Sequence, residues 1–228
     1  MVQNNSGMNF LMSAGENTTD KGADDVPYLK PASSRFFDVL DTVNRIANTP
    51  NLFMFQNDNP GGFVGQQTIF EEGRALFFAE VLQLAERMRA SEVDFGILPY
   101  PKYDEAQANY YTFGDSWCMN HMLVPITNKN LDKTGMILEI LNAESYYTVR
   151  PAYIERAIHS KFFRDEDSIE MLDIIFASKV ISLDEIFGWG MFGALNNEVF
   201  TDGNFASAVE SNETRVQRAI ESSMSRID

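Results

Sequence analysis

The chain has 228 residues, a formal net charge of −15, and 44% hydrophobic against 22% charged residues. That balance is normal for a globular protein, long enough for one large domain or two small ones with a real core. The acidic excess excludes nucleic acid, because phosphate neutralisation needs clustered Lys and Arg, and it equally disfavours an anionic membrane surface. Cys118 is the single cysteine, so there is no internal disulfide and no thiolate metal site. No apolar run approaches the roughly 20 residues of a membrane span.

Residues 8–13 are short and apolar, and the polar GENTTDKGADD that follows suits a hairpin loop or a connection. Ser33 or Ser34 caps a predicted helix through about Asn48, with Phe36, Phe37, Leu40, Val43 and Ile46 on one face. NDNPGG, at 57–62, reads as a loop, and a short helix is expected from about Gly65 to Glu72. The most informative stretch is 70–103, FEEGRALFFAEVLQLAERMRASEVDFGILPYPKY. Two apolar runs, 75–81 and 95–98, flank an amphipathic helical pattern; Gly73 opens the first, and Pro99 and Pro101 close the second. The layout predicts strand, helix, strand, the unit of α/β domains. Glu80 then ends the first strand, where such sheets place their ligand contacts.

Residues 110–113 and 119–126 are rich in aromatic or β-branched side chains and read as strands, joined by the turn GDSW. Beyond residue 130 the pattern is helical. Asn130 or Asp132 caps a helix carrying Met136, Ile137, Ile140 and Leu141 that ends near Glu144. Pro151 begins another, the first helical position being its favoured place. Asp165, Asp167 and Ser168 supply acidic residues and a cap for a third, with Ile169, Leu172, Ile175 and Phe176 on one face. Residues 182–187 are short, FGWGMFG is rich in glycine and aromatics, and 194–200 is helical. The last helix runs from about Phe205 to Ile227, on Val209, Val216, Ala219 and Ile220.

Few residues have the spacing of catalytic groups. Glu71 and Glu72 are adjacent on a helix, so their side chains diverge by about 100° and cannot flank one glycosidic bond. His121 and His159 lack nearby ligands at metal spacing. Ser116 is not in a nucleophile elbow, and WCMN around Cys118 matches no nucleophile signature. Glu80 is either a hydrogen-bond acceptor for a ligand or a structural ion-pair partner. Trp117 and Trp189 lie in glycine-flanked loops, so each is either a platform for the apolar face of a sugar ring or plain packing.

The order FEEGRALFFAEV, DFGILPYPKYDEAQ, WCMNHMLVPITNKNLDKTGMILEILNAESYY, followed by PAYIERAI, RDEDSIEMLDIIF and IFGWG, resembles the later half of bacterial extracellular solute-binding proteins, the sugar-type receptors of ABC importers. The likeness covers roughly residues 60–228. It implies an α/β, periplasmic-binding-protein-like (type II) lobe, helix-rich with a small mixed sheet. It implies a second lobe made mainly of residues 1–103 and 151–228, with 104–150 a hinge-crossing segment of the first. The chain is then expected to be the C-terminal portion of a two-lobed receptor, a fragment lacking most of the first lobe. The resemblance also implies no catalysis, no cofactor and no metal. Its ligand is a carbohydrate, an oligosaccharide, or another polar solute, and its partners are ABC permease subunits. The location is extracellular or periplasmic, with a lipid anchor in the full-length protein; MVQNNSGMNF carries no signal segment. Mapped onto this sequence, the cleft residues are Glu80, Val81, Asp115, Trp117, Asn120 and Trp189. Where many such receptors carry a tryptophan after the "G-x-A" strand, this chain has Glu80-Val81-Leu82. The rival reading is a glycan hydrolase with Glu80 and Asp115 as acid and base, which requires carboxyls about 5–10 Å apart across a cleft. A third is an interaction domain in which both tryptophans are buried.

Overall fold

A computed structural model of the chain describes residues 6–52, 61–88, 91–116, 122–159 and 166–226. Ten α-helices lie among them, and the strands form two two-stranded sheets. Helix α1, Ser6–Ser13, replaces the apolar run near the start. The polar stretch after it folds as the expected hairpin, β1 (Thr19–Lys21) pairing antiparallel with β2 (Pro27–Leu29). Helix α2 spans Ser34–Ala47, and its N-cap is Ser33, whose hydroxyl accepts the Phe36 N–H at 3.0 Å. That bond satisfies one of the donors every helix start leaves open. Phe36, Val39, Leu40 and Val43 face inward.

The core joins four helices distant in sequence. Met8, Leu11 and Ala14 of α1 meet the inner face of α2, then Met191, Phe192, Leu195 and Val199 of α9 (Met191–Val199). Phe205, Val216 and Ile220 of α10 (Phe205–Met224) close the cluster. Each fully buried aliphatic or aromatic side chain contributes about 1.5–3 kcal/mol, so this cluster supplies the main favourable term. Asn44 ties α2 to the end of α9 by donating to the carbonyls of Val199 (2.9 Å), Thr201 (3.2 Å) and Glu198 (3.3 Å).

The strand–helix–strand expectation fails. Helix α3 is Gly62–Glu71, and the intervening helix exists only as α4, Gln83–Arg87, while 75–81 and 95–98 form no strand. A segment becomes a strand only when a neighbouring backbone completes its hydrogen bonds. Residues 93–99 do keep the alternating inward and outward exposure of a strand. What meets them is side chains: Phe70 packs on Phe78 and Phe95 with ring centres 5.8 and 6.3 Å apart, and the Ile97 N–H donates to Ser168 Oγ at 3.1 Å.

Strand β3, Thr112–Phe113, falls within the predicted 110–113 and pairs in parallel with β4, Lys179–Val180. Of the predicted 119–126, residues 119–121 lie outside the described residues and 122–126 form no strand. Helix α5, Leu131–Glu144, is capped by Asn130, which accepts the Lys133 N–H at 3.0 Å. No residue of α5 is buried, and Met136, Ile137, Ile140 and Leu141 all face solvent. Pro151 opens no separate helix. It is the second residue of α6, Arg150–His159, which continues α5 through a π segment, Ser145–Val149. A π turn is a known way to absorb the missing N–H and the ring bulk of a proline inside a helix. Helix α7, Glu166–Ala177, buries Leu172 and Ile175 as its pattern predicts, and α8 is Leu183–Phe187. No helix among the described residues is long and apolar enough to cross a membrane.

Candidate functional site

Because β3 and β4 run in parallel, the chain leaves both at the same edge of the sheet. In α/β structures that edge is where ligand-contacting loops gather. The Gly114 N–H donates to the Val180 carbonyl at 2.8 Å, extending the pairing by one residue and bringing the 114–116 turn beside α8. There the Ser116 N–H donates to Glu185 Oε2 at 3.1 Å, and the carboxyls of Asp115 and Glu185 are in hydrogen-bonding range of each other. Ser182 caps α8 by accepting the Glu185 N–H at 3.4 Å, so the Glu185 side chain is left to reach across to the turn.

Glu80 joins this group from the other side. It is half-buried, and its Oε1 accepts the N–H of Val81 at 2.9 Å. Burial pushes its carboxyl above the usual range, and the Asp115 charge adds to that; the Val81 N–H and the Arg87 guanidinium pull the other way. Glu185 is raised for the same reason, burial first and Asp115 next, with the Ser116 N–H opposing. Tyr100 completes the neighbourhood: burial and the Glu80 carboxylate push its phenol up to about 12, so it is a neutral hydroxyl at all ordinary pH. Its oxygen accepts from Asn9 Nδ2 at 3.0 Å, and its ring meets Phe10 edge-on at 5.1 Å, which pins it to α1. The result is three carboxyl groups and a phenol with partly occupied oxygens. Such groups accept hydrogen bonds from hydroxyls or pair with a cation. Among the described residues no set of three or more His, Cys, Asp or Glu is arranged to hold a metal ion.

Of the residues read from sequence, the structure brings Glu80 and Asp115 together, with Val81 half-buried beside Glu80. Trp117 and Asn120 lie outside the described residues. Trp189 is corrected: it is 2% exposed, a member of the core, and has no open face for a ligand. Its Nε1 donates to Ser223 Oγ at 2.9 Å, and its carbonyl accepts from Arg215 Nη1 at 3.0 Å. The loop that carries it is held from beneath by Asp184. This carboxylate, 1% exposed, accepts from Gly190 N–H (2.7 Å), Phe192 N–H (2.5 Å) and Thr18 Oγ1 (3.0 Å). The glycines of FGWG serve the turn, with Gly188 at φ 64° and Gly190 at φ 105°, a region other residues enter only with strain. They let the chain fold Trp189 inward instead of presenting it.

Sequence reasoning missed Glu185, Tyr100 and Phe187. Ser182-x-x-Glu185 has the spacing of a helix capping box, which draws attention to the glutamate as a helix-start residue and not as a partner of Ser116. Glu71 and Glu72 are engaged locally, Glu71 with Gln67 at 3.1 Å and Glu72 with Arg74 at 2.7 Å.

The architecture is a helix-rich α/β fold with small sheets, of the periplasmic-binding-protein-like kind. The likeness is to a solved structure of a maltotriose-binding protein from Thermus thermophilus with maltotriose bound. The TM-score is 0.57 at 15% identity, and the match covers 96% of this chain and 61% of that one. The chain thus spans about three fifths of the length of the structure it matches. No family model and no curated protein matches the chain.

Proposed function

We propose that this chain belongs to an extracytoplasmic receptor that captures a carbohydrate, an oligosaccharide, for an ABC importer and releases it unchanged to the permease. The observation that carries the reading is the fold shared with a sugar-binding protein, combined with Glu80, Asp115 and Glu185 gathered at the ligand-facing edge of a parallel strand pair. Glu80 and Asp115 accept hydrogen bonds from sugar hydroxyls, Val81 borders them, and Trp117 and Asn120 add contacts from the same turn. Trp189 supports the site from the core. A lipid anchor in the full-length protein holds the receptor at the outer face of the membrane.

In this reading residues 1–103 and 151–228 belong mainly to one lobe, and 104–150 cross the hinge to the other. Its support is α5, whose apolar residues have nothing packed over them, and the match to only 61% of a longer chain. Closure on a ligand follows from the better contacts that the closed state gives it.

The test is a thermal-shift screen of the intact protein against mono- and oligosaccharides. A saccharide at 100 times its dissociation constant adds about 2.7 kcal/mol of stability, a plain upward shift of the melting temperature. A flat response to every saccharide would remove the receptor reading. Release of reducing ends from any glycoside would instead make Glu80 and Asp115 an acid and base pair.

A further inference from the structure

The aromatic surface near this site belongs to Phe187, not Trp189. Phe187 stacks on Trp189 with ring centres 5.1 Å apart and planes 11° from parallel, yet it is 51% exposed while the indole is 2% exposed. One face of the phenyl ring is therefore covered by the indole, and the other looks outward. The mount is rigid. The indole is pinned by Ser223, its carbonyl by Arg215, and the 188–190 turn by Asp184. Beside the ring, a Cβ added to Gly188 would meet nothing within 4 Å, so the approach is open. An isolated surface phenylalanine is commonplace. One backed face-to-face by an immobilised indole presents a flat apolar plane already ordered, which lowers the entropic cost of stacking a partner on it.

We propose that Phe187 is the stacking platform of an outer sugar subsite, adjoining the ring held by Glu80, Asp115 and Glu185; this rests on the receptor reading above. Phe187 and Glu185 share the five-residue α8 and lie within about one helical turn of each other. Their side chains are two residues apart and leave the helix on different sides, so one small ring cannot engage both. A ligand that uses both must be extended around the end of α8. The substrate class that fits is an oligosaccharide of at least two units. One ring lays its C–H face on Phe187, and the next gives its hydroxyls to the carboxylates.

The experiment is calorimetric titration of the intact protein and its Phe187→Ala and Phe187→Trp variants with maltotriose, cellotriose and glucose. Phe187→Ala is expected to weaken the trisaccharide that binds best by about tenfold and glucose by less than about twofold, with the unliganded melting temperature unchanged. Phe187→Trp is expected to restore trisaccharide binding. If the wild type binds a trisaccharide and Phe187→Ala matches it, the platform is wrong and the receptor reading stands. Equal weakening of glucose and trisaccharide makes Phe187 part of a single-ring site and overturns the outer subsite. A lower melting temperature with no rescue by Trp makes its role structural, and also overturns it. If the wild type binds no saccharide of this set or of the wider screen, the receptor reading falls and takes this assignment with it.

Discussion

Asp184 is the residue on which the arrangement of the 188–190 turn depends, and removing its carboxylate is a direct test of that reasoning. Its two oxygens receive two backbone N–H groups and the Thr18 hydroxyl, at 2.5 to 3.0 Å, in a place with 1% exposure. Asp184→Ala leaves the Gly190 and Phe192 N–H groups without that acceptor, at about 1–3 kcal/mol for each buried donor. Relief of the carboxylate's own desolvation offsets part of this, so the net loss is about 3 kcal/mol. For a chain of this size that lowers the melting temperature by about 6–12 °C. Asp184→Asn keeps one acceptor oxygen but turns an N–H₂ toward a donor, and is expected to lose about half as much. The assay is urea denaturation followed by tryptophan fluorescence. A Thr18→Ala, Asp184→Ala double-mutant cycle isolates the hydroxyl contact, for which coupling above about 0.5 kcal/mol is expected. If Asp184→Ala unfolds within about 1 kcal/mol of the wild type, the carboxylate does not organise the turn and the rigid mount of Phe187 has no basis.

Two further outcomes are expected. The Glu185 carboxyl titrates above its ordinary value of 4.5, so ionising it costs stability in the folded state; that stability is fully present below 4.5 and is lost as pH rises through the raised folded-state value. Glu185→Gln is therefore expected to be more stable than the wild type at about pH 7, with the gap closing below about pH 4.5; urea midpoints along that range check it, and a gap that widens toward acid would contradict the sign. Gly190→Ala puts a non-glycine residue at φ 105° and a Cβ 2.5 Å from Arg215 Nη1, so the guanidinium must leave the Trp189 and Gly190 carbonyls it now serves. A loss of about 2 kcal/mol in the same denaturation assay is expected, and no loss would mean the turn relaxes freely.

Much of the secondary structure was legible because its causes are local. The Ser33 and Asn130 caps, the apolar face of α2 and the bounds of α5 depend on residues within a few positions of one another. The polar run from Gly15 to Asp25 likewise contains all that its hairpin needs. The 75–81 and 95–98 segments were misread because their composition favours a strand, while strand formation depends on a backbone neighbour that no local pattern specifies. Pro151 was misread for a related reason: a proline tells the chain where a helix begins easily, but a preceding π turn lets the helix run on.

By itself the sequence settled which stretches become helices, where they are capped, and that Glu80 and Asp115 deserved attention. It left open which way the two aromatics of FGWG would point, because the same two glycines permit either. Packing decided that Trp189 fills the core and Phe187 faces out, since burying the larger ring removes more apolar surface from water and Ser223 satisfies its N–H. Pairing of Thr112 with Lys179 and of Phe113 with Val180 decided that Asp115 and Glu185 meet. That contact joins elements far apart along the chain, so only the folded molecule could bring those carboxyls to one edge.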